Sequence, residues 1–176
     1  LLLPALHKAK RATQSISCTA NLKQLQLAWQ IYADDHNDRL VPNWITWDGS
    51  DYRTSSSTSN SWVSGSAMTD DSTAGIRQGA LSRYTQNDGI YRCPSDKSLG
   101  SYGGIRASRP FNVTLNFYLN GRISSDNGST WSVAPGPDYP QIVVRSASIH
   151  RPVEVFTFID GAETSMTSGV FLLNTA

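Results

Sequence analysis

The chain has 176 residues, of which 39% are hydrophobic and only 16% charged, and its net charge is +1. This length suffices for one domain with a buried core, and the 5 Trp, 7 Tyr and 5 Phe exclude wholesale disorder. A net charge near zero offers no general basis for nucleic-acid binding, and the absence of any run of about 20 apolar residues excludes a complete membrane span.

Uncharged polar residues dominate the composition, since 24 Ser, 14 Thr and 10 Asn predict long polar loops rather than a highly charged surface. The charge is also unevenly placed. The first 33 residues contain four basic and no acidic side chains, whereas the rest of the chain contains 11 basic and 14 acidic ones. We therefore expect the N-terminal segment to have an orientation or a partner of its own.

Residues 1 to about 36 are predicted to form one long helix, because they are rich in Ala, Leu, Lys and Gln and contain no Gly. Pro4 lies in the opening turns, where proline is tolerated or produces a kink. Five residues separated by 4, 3, 4 and 3 positions share one face of this helix: Cys18, Leu22, Leu25, Trp29 and Tyr32. This stripe predicts the face that packs on a core.

The first turns of the helix have a different pattern. Five apolar residues, Leu1, Leu2, Leu3, Ala5 and Leu6, are followed at once by Lys8, Lys10 and Arg11. This arrangement is typical of the end of a more hydrophobic segment. We expect residues 1–38 to form an N-terminal helical part and residues 39–176 to form a globular β domain.

Acidic residues cluster where the helix is predicted to end. Asp34, Asp35 and Asp38 place three carboxylates within five residues, a density that could chelate calcium. The glycine and the distal glutamate of an EF-hand loop are absent, so a solvated helix end is the plainer interpretation. Pro42 excludes a continuation of the helix.

Three tryptophans interrupt the polar stretch from residue 43 to residue 75, namely Trp44, Trp47 and Trp62. Aromatic rings in a polar loop could form a sugar-binding surface, because a ring face matches the apolar face of a pyranose. Alternatively, they anchor a long loop to the body of the domain. The pattern alone leaves both interpretations open.

The second half of the chain predicts about four strands. Residues 111–119 alternate between apolar and polar and indicate a half-buried strand. Further strands are predicted at residues 141–147, 153–159 and 170–173, with the apolar 153–159 segment central in the sheet. The predicted fold is α+β, with the long helix packed across an antiparallel sheet and joined to it by polar loops.

Motifs that carry catalysis are absent, because the sequence contains no GxSxG, HExxH, P-loop or GxGxxG pattern and only two glutamates. We therefore predict that the protein is not an enzyme and that it has no cofactor. Cys18 and Cys93 lie too far apart for a CxxC motif. They form either one long-range disulfide or two buried thiols.

Several short motifs resemble those of type IV pilins and type II secretion pseudopilins, in particular the prepilin-type branch with an H-X9-DG signature and a solute-binding-like domain. The matching elements are Leu1 to Leu6, Cys18 with Asn21-Leu22-Lys23-Gln24-Leu25, Tyr32 to Asp35, Leu40-Val41-Pro42, Cys93-Pro94-Ser95-Asp96, Leu119-Asn120-Gly121, and His150 with Asp160-Gly161. Together they run from residue 1 to residue 161.

This resemblance implies a pilin-like fold and a structural subunit of an extracellular filament, either a type IV pilus or a secretion pseudopilus. Its partners would be identical copies in a helical array and an inner-membrane assembly machinery, reached through the periplasm. The family's membrane-spanning segment is expected to precede this sequence and to hold the subunit in the membrane before assembly. The implied self-assembly residues are Leu1, Leu2, Leu3, Pro4 and Leu6. The alternative is a minor tip or surface module that binds a glycan or other solute through Trp44, Trp47 and Trp62.

An extracytoplasmic location permits oxidation, which favours a disulfide between Cys18, on the core-facing stripe, and Cys93. His150 and Asp160 are expected to be structural. A strand over residues 153–159 would hold them at its opposite ends, with His150 at its beginning and Asp160-Gly161 in a tight turn after it. Replacement of Asp160 by alanine is then expected to lower thermal stability.

Overall fold

The computed structural model describes residues 2–47, 55–124, 130–131, 141–161 and 168–171. Over these residues the fold is α+β, as predicted, with one long N-terminal helix and several small sheets. The helices are α1 (Leu2–Asp35), α2 (Ala74–Gln78) and α3 (Ser82–Thr85), with 3-10 helices at Asp88–Tyr91, Ser146–Ser148 and Pro152–Glu154. The strands are β1 (Asn43–Thr46), β2 (Ser56–Ser57), β3 (Leu99–Tyr102), β4 (Ile105–Ser108), β5 (Val113–Asn116), β6 (Gly121–Ser124), β7 (Thr130–Trp131), β8 (Phe158–Asp160) and β9 (Val170–Phe171).

The predicted N-terminal helix is confirmed, and α1 runs unbroken past Pro4. Pro4 is the third described residue of α1, and the helix continues from it through Asp35. The helix ends in a Schellman arrangement, in which the Asp38 N–H donates to the Ala33 carbonyl at 2.9 Å and Asn37 has a φ of 53°. The backbone therefore leaves the helix well before Pro42.

The prediction of one antiparallel sheet of about four strands is wrong, because the strands form three small sheets. One sheet has the order β2-β1-β6-β7, with β1 and β6 parallel. The second is the β3-β4 hairpin, and the third has the order β8-β5-β9, with antiparallel and parallel neighbours on the two sides of β5. Parallel neighbours arise because long connections, rather than hairpins, join these strands.

The predicted half-buried strand over residues 111–119 is shorter and more deeply placed than expected. All four residues of β5 are buried, so neither face meets solvent. The strand stops at Asn116, whose side-chain oxygen accepts a hydrogen bond from the Tyr118 N–H at 3.0 Å. This side chain supplies a local turn that competes with the strand, and the alternating pattern of the sequence continues beyond the structural element.

The predicted central strand over residues 153–159 is also corrected. Pro152 opens a 3-10 helix, Val153 is 95% exposed, and only Phe158–Asp160 pairs, as an edge strand beside β5. Proline at the start of a helical turn is pre-organised for that turn, which outweighs the β propensity of the valines that follow. Residues 141–147 contribute isolated bridges from Val143 and Arg145 instead of the predicted strand.

One hydrophobic core joins α1 to the sheets. The predicted stripe on α1 faces it, with Leu25 and Trp29 buried and Leu22 and Tyr32 packed at its edge. Trp62 lies at the centre of this core, stacked on Tyr91 at 5.8 Å between ring centroids and edge-on to Phe158 at 5.3 Å. The core therefore covers only the C-terminal half of α1.

Candidate assembly surface

The N-terminal part of α1 projects beyond the core. Every side chain from residue 3 to residue 13 is exposed, including Leu3 at 72% and Leu6 at 66%. A helix of 34 residues is about 51 Å long, of which residues 3–13 account for about 16 Å. Of the predicted self-assembly residues, the structure places the side chains of Leu3, Pro4 and Leu6, and all three are exposed. Leu1 and the Leu2 side chain lie outside the described residues.

Three contacts attach α1 to the body near its middle. Cys18 forms a disulfide with Cys93, with the two Cα atoms 4.8 Å apart. The Asn21 amide donates to the Arg92 carbonyl at 3.0 Å, and one turn before the disulfide the Gln14 amide donates to the Pro94 carbonyl at 3.4 Å. The predicted disulfide is thus present, and it marks the point from which the projecting part of α1 begins.

The outward face of α1 carries a second apolar stripe, opposite the stripe that faces the core. Its positions follow one another at spacings of 3 or 4 residues and are all exposed: Leu6, Ala9, Thr13, Ile16, Ala20, Gln24, Leu27 and Ile31, with the polar Gln24 interrupting the stripe between Ala20 and Leu27. At about 100° per residue they fall within an arc of roughly 80°, on the side of the helix away from Cys18. Such a repeat is the pattern with which helices pack on helices.

Hydroxyl groups along this part of α1 are satisfied within the helix. Thr13 donates to the Ala9 carbonyl at 3.0 Å, and Thr19 donates to the Ser15 carbonyl at 3.1 Å. A threonine bonded in this way presents its methyl group without an unmet donor. Thr13 is therefore compatible with the apolar stripe in which it lies.

The charges of α1 are separated along the helix. Lys8, Lys10 and Arg11 form a cationic band on the projecting segment, next to the exposed leucines. Asp34 and Asp35 lie in the last turn, where the helix dipole disfavours negative charge.

Asp34, Asp35 and Asp38 do not converge as the calcium alternative requires. Asp38 accepts hydrogen bonds from the Ser146 hydroxyl and from the Ala147 N–H, which caps the 3-10 helix Ser146–Ser148. These bonds, the Ser146 hydroxyl first, lower the pKa of Asp38 below its usual value. Burial, and then the neighbouring Asp35 carboxylate, raise the pKa of Tyr84, so Asp35 lies beside that hydroxyl instead. Among the described residues the three carboxylates form no common ligand set.

The structure separates the three tryptophans predicted as one glycan-binding surface. Trp62 is fully buried, and its indole N–H donates to the Gly169 carbonyl at 3.0 Å, so it anchors the core and cannot stack on a sugar. Trp47 is exposed at the end of β1. Trp44 lines a cleft beside the C-terminal end of α1. Of the two interpretations of these residues, loop anchoring therefore holds for Trp62.

His150 and Asp160 do not lie at the two ends of a strand, because β8 contains only Phe158–Asp160. His150 is exposed and precedes the 3-10 helix Pro152–Glu154. Asp160 pairs with Val113, and the Gly161 N–H donates to the Asn112 carbonyl at 2.7 Å, so the ladder continues where a tight turn was predicted. Burial, and then the negative charge of Asp96, raise the pKa of Asp160.

Comparisons with known proteins found no matching family model, no similar curated protein and no similar solved structure. Within the described parts of the chain, no helix is both long enough and apolar enough to span a membrane.

Sequence reasoning missed two features of α1 that matter here. The outward stripe can be read from the sequence as a succession of spacings of 3 and 4 residues. Two of its members, Ala9 and Ala20, are small and give a weaker apolar signal than the larger residues of the core-facing stripe. The tethers from Gln14 and Asn21 have no sequence signal, because their partners are backbone carbonyls about 70 to 80 residues away.

Proposed function

We propose that this protein is a structural subunit of an extracellular filament of the type IV pilus or type II secretion pseudopilus kind. The observation that carries the proposal is the outward apolar stripe on α1, which extends onto a segment that projects beyond the core. The chain's own core leaves this stripe exposed. Identical copies of α1, packed side by side, would cover it in a helical array.

Magnitudes support association along the whole stripe. Burial of one large apolar side chain contributes about 1.5–3 kcal/mol, so Leu6, Ile16, Leu27 and Ile31 together contribute at most about 6–12 kcal/mol. Association costs about 4–15 kcal/mol in lost translational and rotational freedom. Leu3 and Leu6 alone would contribute about 3–6 kcal/mol, which reaches only the low end of that cost. We therefore expect each copy to need the full stripe and more than one neighbour.

The disulfide supports a location outside the reducing cytosol, since structural disulfides persist in the periplasm and at the cell surface. In a filament it would also tie α1, the helix through which copies pack, covalently to the globular body that covers its other face. In this proposal the role of the chain is mechanical rather than catalytic. Its partners are copies of itself and the inner-membrane machinery that extracts and adds subunits.

Electron microscopy and light scattering of the purified, disulfide-intact protein test the proposal. The wild type is expected to form filaments, and the double substitution Leu6→Lys and Ile16→Lys is expected to leave a folded monomer. The matched control, Ile105→Lys with Val153→Lys, adds the same charge at exposed apolar positions outside α1 and should still form filaments. Filaments from the Leu6 and Ile16 variant, or their loss in the control, would contradict the proposal.

A further inference from the structure

The chain holds a cleft where α1 ends, which we call the helix-exit cleft. Its volume is about 700 Å³, and it is formed by segments from four distant parts of the sequence. The lining side chains that matter here are Tyr32, His36, Arg39, Trp44, Gln78 and Arg83. The cleft is therefore a product of the tertiary fold and of no single motif.

Two arginines bring positive charge into the helix-exit cleft. Arg39 and Arg83 are both exposed, and both lie near enough to the Tyr32 hydroxyl to oppose the rise in its pKa that burial causes. The ion pairs seen among the described residues are Arg77–Asp88, Arg92–Asp96 and Arg151–Glu154, and none of them involves these two arginines. The guanidinium groups are thus available to an anion in solution.

The acidic group in the cleft does not cancel this charge. Asp35 is the one carboxylate among the lining residues. One acid against two arginines leaves a net positive lining. A second cavity, of about 560 Å³ beside Cys93, differs in that Arg92 pairs there with Asp96 at 3.5 Å. The helix-exit cleft is therefore the better candidate for binding an anion.

Aromatic and amide groups complete the lining. Tyr32 and His36 stack within the cleft with 3.8 Å between their ring centroids, and His36 Nδ1 donates to the Tyr32 carbonyl at 2.8 Å. Trp44 lines the wall of the cleft, and the Arg122 guanidinium, outside the cleft lining, lies over its ring 5.3 Å from the centroid. The Gln78 side-chain amide has no hydrogen-bond partner among the described residues, so it can bind a ligand hydroxyl.

We propose that the helix-exit cleft binds an acidic saccharide, with a uronic acid carboxylate on Arg39 and Arg83 and a pyranose face against Trp44. Guanidinium groups bind carboxylates through paired, charge-assisted hydrogen bonds. An indole ring offers the flat apolar surface that the C–H groups of a pyranose require. Amide side chains such as Gln78 supply both donors and acceptors for ring hydroxyls.

The cleft is distant from the projecting segment of α1 and borders the C-terminal end of the outward stripe, since Tyr32 directly follows Ile31. From Leu6 to Tyr32 the helix rises about 39 Å, so the cleft lies at the opposite end of α1 from the projecting segment. In a filament each copy would present one cleft, and a saccharide with many acidic units would gain affinity by engaging several of them. The monomer nevertheless suffices to test the binding.

Isothermal titration calorimetry of the disulfide-intact protein with a tetramer of galacturonic acid tests the proposal. We expect saturable binding at low salt that weakens at least tenfold at about 0.5 M salt, since charge carries much of it. A neutral glucose tetramer should bind at least tenfold more weakly. Sodium acetate and hexaglutamate should not compete at the same concentration of carboxylate. Equal binding of the neutral sugar, or competition by hexaglutamate, would overturn the assignment, as would no binding at all.

Substitutions test whether the saccharide binds in the helix-exit cleft. Arg39→Gln with Arg83→Gln, and separately Trp44→Ala, should each weaken binding of the galacturonic acid tetramer at least tenfold with the melting temperature held within a few degrees. Trp44→Tyr keeps an aromatic face and should retain most of the affinity even if the alanine variant folds poorly. Arg106→Gln with Lys97→Gln removes the same two positive charges from exposed positions outside the cleft and should change nothing. An equal loss in the Arg106 and Lys97 variant, or none in the cleft variants, would refute the proposal.

Discussion

Cys18 on α1 and Cys93, which follows the 3-10 helix Asp88–Tyr91, form a disulfide although 75 residues separate them in the chain. It lies where the core-facing stripe of α1 begins, and the segment before it projects into solvent. The bond therefore holds the helix at the boundary between its packed and its projecting parts.

Reduction of this disulfide should destabilise the protein strongly. Closing a loop of about 75 residues stabilises by roughly 3–5 kcal/mol in the chain-entropy model, because the bond restricts the unfolded chain. Urea unfolding of the oxidised protein and of the double substitution Cys18→Ala and Cys93→Ala should show a loss of this order or more. Thiol titration of the denatured, unreduced wild type should find no free thiol. Two free thiols there would contradict the structure.

Position along the helix surface should decide which leucine matters for assembly. Leu6 lies on the outward stripe, whereas Leu3 lies about 60° away from it at 100° per residue. Leu6→Lys should therefore raise the concentration needed for filament formation more than Leu3→Lys does, and the two changes together should abolish filaments while leaving a folded monomer. Sedimentation velocity across a concentration series measures this order. The reverse order would show that copies pack through another face.

Asp38 should make the stability of the protein depend on pH. The hydrogen bond from the Ser146 hydroxyl, and then that from the Ala147 N–H, lower the pKa of Asp38 in the folded state. The ionised Asp38 therefore stabilises the fold at pH values above its ordinary pKa of 3.8, and this stabilisation is lost as the pH falls through the lowered folded-state pKa. Asp38→Asn should be less stable than the wild type at pH 7 and equally stable near pH 2. Asp34→Asn, also on the helix exit, is the control for the change in charge. Thermal unfolding of the wild type and of the Asp38→Asn and Asp34→Asn variants at pH 7 and near pH 2 provides the measurement.

Asp160 should behave in the opposite way. Burial, and then Asp96, raise its folded-state pKa, so the folded state disfavours its ionised form and stability falls as the pH rises through that range. No hydrogen bond of the Asp160 carboxylate is seen within the described parts of the chain. Asp160 is itself exposed, so solvent weakens this effect, and Asp160→Asn should raise the melting temperature only slightly at pH 7 and leave it unchanged near pH 3, in place of the loss expected from the sequence. A lower melting temperature of the Asp160→Asn variant at pH 7 would contradict this expectation and would support the turn-forming role that the sequence predicted for Asp160.

Trp62 should be essential for stability and Trp47 should not. Trp62→Phe leaves the Gly169 carbonyl without its donor, which costs about 1–3 kcal/mol, and Trp62→Ala creates a cavity that costs about 3–5 kcal/mol. Trp47→Phe, at an exposed position, should change the free energy of unfolding by less than about 0.5 kcal/mol. Urea unfolding of the three variants provides the measurement. A small effect at Trp62 would mean that the ring is not part of the core.

Local periodicity was enough to predict α1 and the face that packs on the core, because a helix repeats every 3.6 residues and Cys18, Leu25 and Trp29 recur at that period. The position of Cys18 on that face left both a disulfide and two buried thiols open, and the disulfide was favoured only by the extracytoplasmic location that the family resemblance implies. The α+β class followed from the same kind of pattern.

The tertiary structure decided everything that depends on long-range partners. The residues 153–159 are apolar enough for a strand, yet Pro152 starts a helical turn and only Phe158 to Asp160 find a neighbour in β5. The helix-exit cleft joins Arg39 to Arg83 and Trp44 through connections that have no periodic signal.

The two stripes of α1 show the division most clearly. The sequence shows helical spacing for two stripes, one through Cys18 and Trp29 and the other through Leu6 and Ile16. Spacing cannot tell which of two apolar faces a domain will cover, because each satisfies the same period. The globular body attaches at Cys18 and covers that face, and the face through Leu6 and Ile16 is thereby left exposed to solvent.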